Sequence, residues 1–155
     1  MSDQDNGPGV KIPPPLIFIT CAALSYAIEW WLQVSFSFPA YVIQLGVGLI
    51  ALGITLAMIS AFQFWKFKTH IEPWKPASVL INTGVFAYSR NPIYLAFVLV
   101  TSGTGLYLES IGIVLSNTVA IWLLYYLVIT KEETYLEALF GEPYSEYKKR
   151  VRRWL

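Results

Sequence analysis

The stretch Tyr41–Trp65 reads YVIQLGVGLIALGITLAMISAFQFW, 25 residues without one charged side chain. About 20 apolar residues suffice to carry a helix across the hydrocarbon layer of a bilayer, so this block points to lipid as its solvent. Working outward, three more apolar blocks follow the same pattern, at about 16–34, 93–108 and 111–130. The block at 93–108 is short, so it tilts little or borrows flanking residues. Composition agrees: 55% of the 155 residues are hydrophobic, 16% aromatic and only 14% charged, with mean hydropathy +0.51. A soluble chain of this length could not hide so much apolar surface in one core. The expected fold is an all-α integral membrane protein of one domain, residues 1–155, with four transmembrane helices.

Short links place those helices. Residues 35–39 join the first two blocks, and Glu109-Ser110 joins the last two. This predicts two helical hairpins separated by a polar loop, 66–92, and followed by a tail, 131–155. All eleven Lys and Arg fall in three segments: Lys11, the loop from Lys66 to Arg90, and the tail from Lys131 to Arg153. Neither hairpin turn carries a positive charge. The positive-inside rule then places both termini, the loop and the tail in the cytoplasm. The start of the chain does not read as a secretory signal, since it carries Asp3 and Asp5 and ends in Pro13-Pro14-Pro15.

The tail divides at Gly141, a suitable helix C-cap, with Pro143 in the first turn of a new helix. Tyr135, Leu136, Leu139 and Phe140 share one stripe before it. Tyr144, Tyr147, Val151 and Trp154 share another after it, opposed by Lys148, Lys149, Arg150, Arg152 and Arg153. Such short amphipathic helices have the composition of elements lying in the headgroup layer.

Function classes narrow quickly. A formal net charge of +1 gives no reason to expect nucleic acid as a partner, and the expected partner is membrane lipid. With one cysteine and one histidine there is no intrachain disulfide and no expected metal centre. The densest polar chemistry lies in 73–94, PWKPASVLINTGVFAYSRNPIY. Pro92 suits a first helical turn, which makes Asn91 a candidate N-cap, and Arg90 stands beside it. A guanidinium at the positive end of a helix dipole is a seat for a carboxylate or phosphate. A snorkelling arginine at a helix cap accounts for the same spacing. Glu29, inside the first block beside Trp30 and Trp31, is either a functional intramembrane carboxylate or an interfacial one. On its functional reading it suggests a small proton-coupled multidrug exporter. His70 is a candidate base or a solvated loop residue.

The strings TGVFAYSRNPIYLAF (83–97) and KEETYLEALFGEPYSEYKKRVRRWL (131–155) resemble the isoprenylcysteine carboxyl methyltransferase family and its bacterial relatives. That family belongs to a wider group of membrane phospholipid and isoprenylcysteine methyltransferases. The resemblance covers about half the chain, and its first two blocks match only in hydropathy. The family pattern runs T-G-P-Y-R-x-x-R-H-P-x-Y, then paired glutamates after the last span, then F-G-x-x-Y-x-x-Y. Arg90, Pro92 and Tyr94 fall on the R-H-P-x-Y positions, with Asn91 replacing the histidine. Glu132 and Glu133 fall on the paired glutamates, and Tyr144 and Tyr147 on the tail tyrosines. Val85 and Ala87 depart from the pattern's proline and arginine.

The resemblance implies S-adenosylmethionine as cofactor and methyl transfer to a lipophilic small-molecule or prenylated acceptor. It implies a site at the cytoplasmic face of a membrane, the inner membrane of a bacterium. Arg90, Asn91 and Tyr94 become the catalytic candidates. Tyr88, Asn91, Tyr94, Glu132, Glu133 and Tyr147 become the cofactor-binding ones. Their chemistry suits such a cofactor: carboxylates for an ammonium and ribose, a guanidinium for a carboxylate, aromatic faces for a sulfonium. Methyl transfer needs alignment and exclusion of water more than a base. The lack of an evident base favours a carboxylate or an ionised thiol as acceptor.

Overall fold

The computed structural model describes residues 7–155, and among these it contains helices and no strand. The reading of the Asp3–Asp5 region lies outside the described residues. The helices are α1 (Pro14–Trp31), α2 (Ala40–Lys66), α3 (Pro92–Tyr107), α4 (Ile111–Leu124), α5 (Thr130–Phe140) and α6 (Glu142–Arg150). A 3₁₀ turn, Gly84–Ala87, precedes α3. A π-helical turn, Tyr125–Ile129, runs from α4 into α5 without a break. Proline starts α1, α3 and α6, where its missing N–H leaves no hydrogen bond unmade.

Among the described residues, two helices are long and apolar enough to cross a membrane: α2, and the continuous rod Ile111–Phe140 of 30 residues. α3 is apolar but shorter, at 16 residues. The outer surface carries large apolar side chains, among them Trp30, Leu45, Met58, Trp65, Leu115 and Trp122. A water-soluble domain would bury them, whereas a lipid-facing one need not.

The packing corrects one expectation. α3 does lie against α4, but α1 does not form a hairpin with α2: α2 lies along α3, and α1 along α4. Glycine is the reason. A Cβ on Gly46 of α2 would stand 2.8 Å from the Gly103 carbonyl of α3, and one on Gly103 would stand 2.5 Å from the Gly46 carbonyl. Only hydrogens allow these backbones so close, and helix association in lipid rewards close approach.

The cluster that joins the helices lies toward the end bearing the basic segments. It comprises Val10, Ile17, Phe18, Cys21, Tyr94, Ala120, Leu124, Val128 and Ile129. The tail supplies a second correction. Tyr144, Tyr147 and Val151 are buried against Leu80, Leu136 and Phe140, and Trp154 packs on the first cluster. Their stripe therefore covers protein and not the headgroup layer, because the loop 66–92 offers it an apolar partner.

Candidate functional site

The elements converge on a cavity of about 370 Å³ between the starts of α1 and α3, the loop after α2, and helices α5 and α6. Arg90, Asn91, Tyr94, Glu132, Glu133 and Tyr147 all line it. Six of the seven candidate site residues, drawn from two distant parts of the chain, thus meet. Tyr88 does not: it is 76% exposed, turned outward by the 3₁₀ turn, and lies outside the lining.

The two glutamates have different surroundings. Glu133 Oε1 accepts from Arg90 Nη1 at 2.9 Å and from Arg153 Nε at 2.9 Å, and its Oε2 accepts from Arg153 Nη2 at 2.8 Å. Burial pushes this carboxyl up, but the hydrogen bonds from Arg153 and the two guanidinium charges hold it below the ordinary carboxylate value. Glu132 has no cation partner among the described residues. Its Oε1 accepts from the Tyr94 hydroxyl at 2.7 Å, and among the described residues Oε2 has no hydrogen-bond donor. Burial pushes its carboxyl up to about 7; the Tyr94 hydrogen bond opposes the rise and the charge of Glu133 adds to it.

Arg90 is almost buried, its side chain 11% exposed, and its Nε has no partner among the described residues. A buried N–H donor without an acceptor is a costly arrangement, and the residue that carries it lines the cavity. Asn91 occupies the N-cap position of α3, yet its side chain does not cap. Its Nδ2 instead donates to the Arg153 carbonyl at 3.0 Å. The Arg90 backbone N–H donates to the Arg152 carbonyl at 3.1 Å, so the tail is stitched to the loop on both sides of Arg90.

The tail tyrosines serve as walls. The Tyr147 hydroxyl donates to the Phe86 carbonyl at 2.6 Å, and burial pushes the Tyr144 hydroxyl up to about 12. On the cavity rim the Tyr135 hydroxyl accepts from the Ala77 N–H at 3.3 Å, and His70 lies 3.9 Å from Glu72.

Sequence reasoning missed Arg153, which it had put on the solvated side of an amphipathic helix. α6 ends at Arg150, and Val151 is extended, with φ −117° and ψ 127°. That break turns Arg153 inward, to Glu133 and over the Tyr125 ring at 5.0 Å. A helical wheel continued past the last residue of a helix misassigns every position beyond it. The only available signal was two bulky residues, Val151 and Trp154, interrupting a basic run.

Glu29 lies away from this cavity. Its Oε1 accepts from the Gly112 N–H at 2.6 Å, and its Oε2 accepts from the Ser110 hydroxyl. It closes the start of α4, so both its oxygens are engaged.

Residues 41–143 match the family described as phospholipid methyltransferase. A protein-S-isoprenylcysteine O-methyltransferase of Schizosaccharomyces pombe is 30% identical over 120 residues, covering 76% of this chain and 50% of that protein. One of Saccharomyces cerevisiae is 34% identical over 143 residues, covering 84% of this chain and 60% of that protein. A protein-S-isoprenylcysteine O-methyltransferase B of Arabidopsis thaliana is 27% identical over 125 residues, covering 79% of this chain and 58% of that protein. The chain spans half to three-fifths of the length of these curated relatives.

Proposed function

This chain belongs to the phospholipid methyltransferase family, and from that membership we propose that it transfers a methyl group from S-adenosylmethionine to a lipophilic acceptor. The acceptor is a carboxylate of the isoprenylcysteine type, which the named relatives methylate. The chain crosses the membrane four times, through α1, α2, α3 and the α4–π-turn rod. The cavity, the tail and both termini face the cytoplasm, as the grouping of the basic residues favours.

The observation that carries this reading is that one cavity is lined both by Arg90, whose Nε has no partner among the described residues, and by Glu132, whose carboxyl has no cation among them. These two groups fit the carboxylate and the ammonium of an amino-acid headgroup. S-adenosylmethionine, when bound, supplies an electrophilic methyl group on a sulfonium. The chain's own residues do the rest. Arg90 orients an anionic oxygen, Glu132 receives the amino group, and Tyr94 and Tyr144 wall the reacting centre. Asn91, tied to the tail, holds Arg90 in place. Tyr147 braces the loop through Phe86. Glu133, already neutralised by two arginines, serves the architecture of the site and not the ligand. The apolar side chains of α1 and α3 at the cavity, Pro14, Ile93 and Phe97, suit an acceptor arriving from the bilayer. Glu29 is consumed in capping α4, so no observation favours the exporter.

The test is Arg90→Lys. A point charge lacks the planar fork, so the variant should fold but bind S-adenosylhomocysteine at least about tenfold more weakly and lose most of its turnover on a farnesylated cysteine. Calorimetry in lipid nanodiscs and a radiolabelled methyl assay read the two. Full affinity together with full turnover would return Arg90 to a snorkelling residue at a helix cap.

A further inference from the structure

The paired glutamates share a sequence neighbourhood but not an electrostatic one. Glu133 has three charge-assisted hydrogen bonds and stays ionised. Glu132 points into the same cavity with one neutral donor, the Tyr94 hydroxyl. The titratable and charged groups lining the cavity with it are Arg90 and Tyr94 at the start of α3, Glu133 and Tyr135 on α5, Tyr144 and Tyr147 on α6, and His70, Glu72 and Lys75 in the loop after α2, with Arg153 of the tail bound to Glu133. Both guanidiniums among these are bound to Glu133. A carboxylate left alone in such a place is disfavoured by desolvation and by the adjacent negative charge, so the neutral form is favoured until a cationic group pairs with it.

We propose that Glu132 is a proton-exchange site, where an arriving cationic amino group displaces the proton that the carboxyl otherwise carries. This rests on the cofactor reading above and deepens it, because it makes uptake of the amino-acid headgroup pH-linked. The exchange balances. The carboxyl O–H bond breaks, the proton leaves to solvent, and the ligand's ammonium, protonated throughout, pairs with the resulting carboxylate. The tendency of Glu132 to titrate near 7 places the effect in the physiological range. Tyr94 tunes it, since its hydroxyl bonds better to the ionised form.

The experiment is calorimetric titration of the full chain in nanodiscs with S-adenosylhomocysteine, in buffers of low and high ionisation enthalpy. Near pH 6 the heats should differ by about one proton released for each ligand bound, and by pH 8 by about none. Affinity should rise by up to about tenfold per pH unit below the midpoint and be flat above it. Glu132→Gln should abolish both the proton release and the pH dependence. Tyr94→Phe is the second variant: it should keep the exchange and move its midpoint to higher pH. His70→Asn should leave the proton count unchanged, because that imidazole stands on the rim with its side chain 53% exposed. Binding without proton release, or release that survives in Glu132→Gln, overturns this proposal alone. The absence of saturable binding at every pH overturns the cofactor reading, and this proposal with it.

Discussion

Carboxylates gather at both ends of the helix bundle, and the two ends treat them differently. At the hairpin-turn end, Glu29 accepts from the Gly112 N–H and the Ser110 hydroxyl, and Glu109 accepts from the Phe38 N–H at 2.6 Å. These are backbone caps: each acid satisfies donors that the start of a helix or a turn would otherwise leave unmade. At the opposite end, Glu133 meets two arginines and Glu132 meets only a phenol, beside a cavity. An intramembrane acid is therefore a poor marker of function taken alone. What separates the ends is whether each carboxyl oxygen already has its donor from the fold.

Four outcomes would break or sharpen that contrast. The largest concerns Glu29→Ala, which strands the Ser110 hydroxyl and the Gly112 N–H at the start of α4. It should cost on the order of 3 kcal/mol in stability, read by thermal unfolding in detergent, while the folded fraction keeps its affinity for S-adenosylhomocysteine. A normal melting temperature with lost activity would instead make Glu29 a functional acid.

Arg153→Ala comes next. It removes both of this arginine's bonds to Glu133 and its seat on Tyr125, so it should cost about 2 kcal/mol. Unlike the Glu29 change, it should also weaken ligand binding, because Arg90 loses the partner that shares Glu133 with it. Unfolding and calorimetry on one preparation separate the two effects.

The third outcome is a pH dependence with a definite sign. A carboxyl whose folded value is raised binds its proton more tightly folded than unfolded. Its contribution is therefore most favourable at low pH, falls as pH rises from the ordinary carboxylate value to about 7, and is level above that. The decline attributable to Glu132 should be at most about 3 kcal/mol, and melting temperatures of Glu132→Gln should not show it. Glu133, held low, acts in the opposite sense and at more acidic pH. A wild type and Glu132→Gln with parallel profiles would show that Glu132 binds its proton no more tightly folded than unfolded.

The smallest effect belongs to Tyr88→Ala. An exposed ring outside the cavity should change stability and ligand affinity by less than about 0.5 kcal/mol. A tenfold loss of affinity would mean that the 3₁₀ turn swings Tyr88 inward when a ligand binds.

Much of the fold was legible in the chain because lipid imposes a coarse rule. A long apolar run must be helical to satisfy its backbone, so the expected span at 41–65 and the observed α2, Ala40–Lys66, differ by one residue at each end. Proline and Gly141 marked boundaries for equally local reasons. Gly141 adopts φ +60°, which glycine accepts without strain, and it separates α5 from α6 as the spacing suggested. The π-helical turn was not legible: Tyr125–Ile129 looks like any other apolar stretch, and the extra residue in a turn is decided by what packs around it. Nor was the pairing of α2 with α3 in preference to α1. Gly46, Gly53 and Gly103 permit close packing, but a glycine in a sequence does not name the helix that approaches it.

By itself, then, the sequence determined the apolar helices, the clustering of positive charge, the loop–tail motif and the residue types needed at a binding site. Those properties follow from local chemistry and from the solvent each segment must meet. Only the tertiary structure decided which glutamate is neutralised, which arginine turns inward and which acid merely caps a helix. Hydrogen bonds and ion pairs are settled over a few ångströms, between groups as far apart in the chain as Arg90 and Glu133. No spacing rule carries that distance. A break of one residue at Val151 was enough to turn an expected surface arginine into the partner of Glu133.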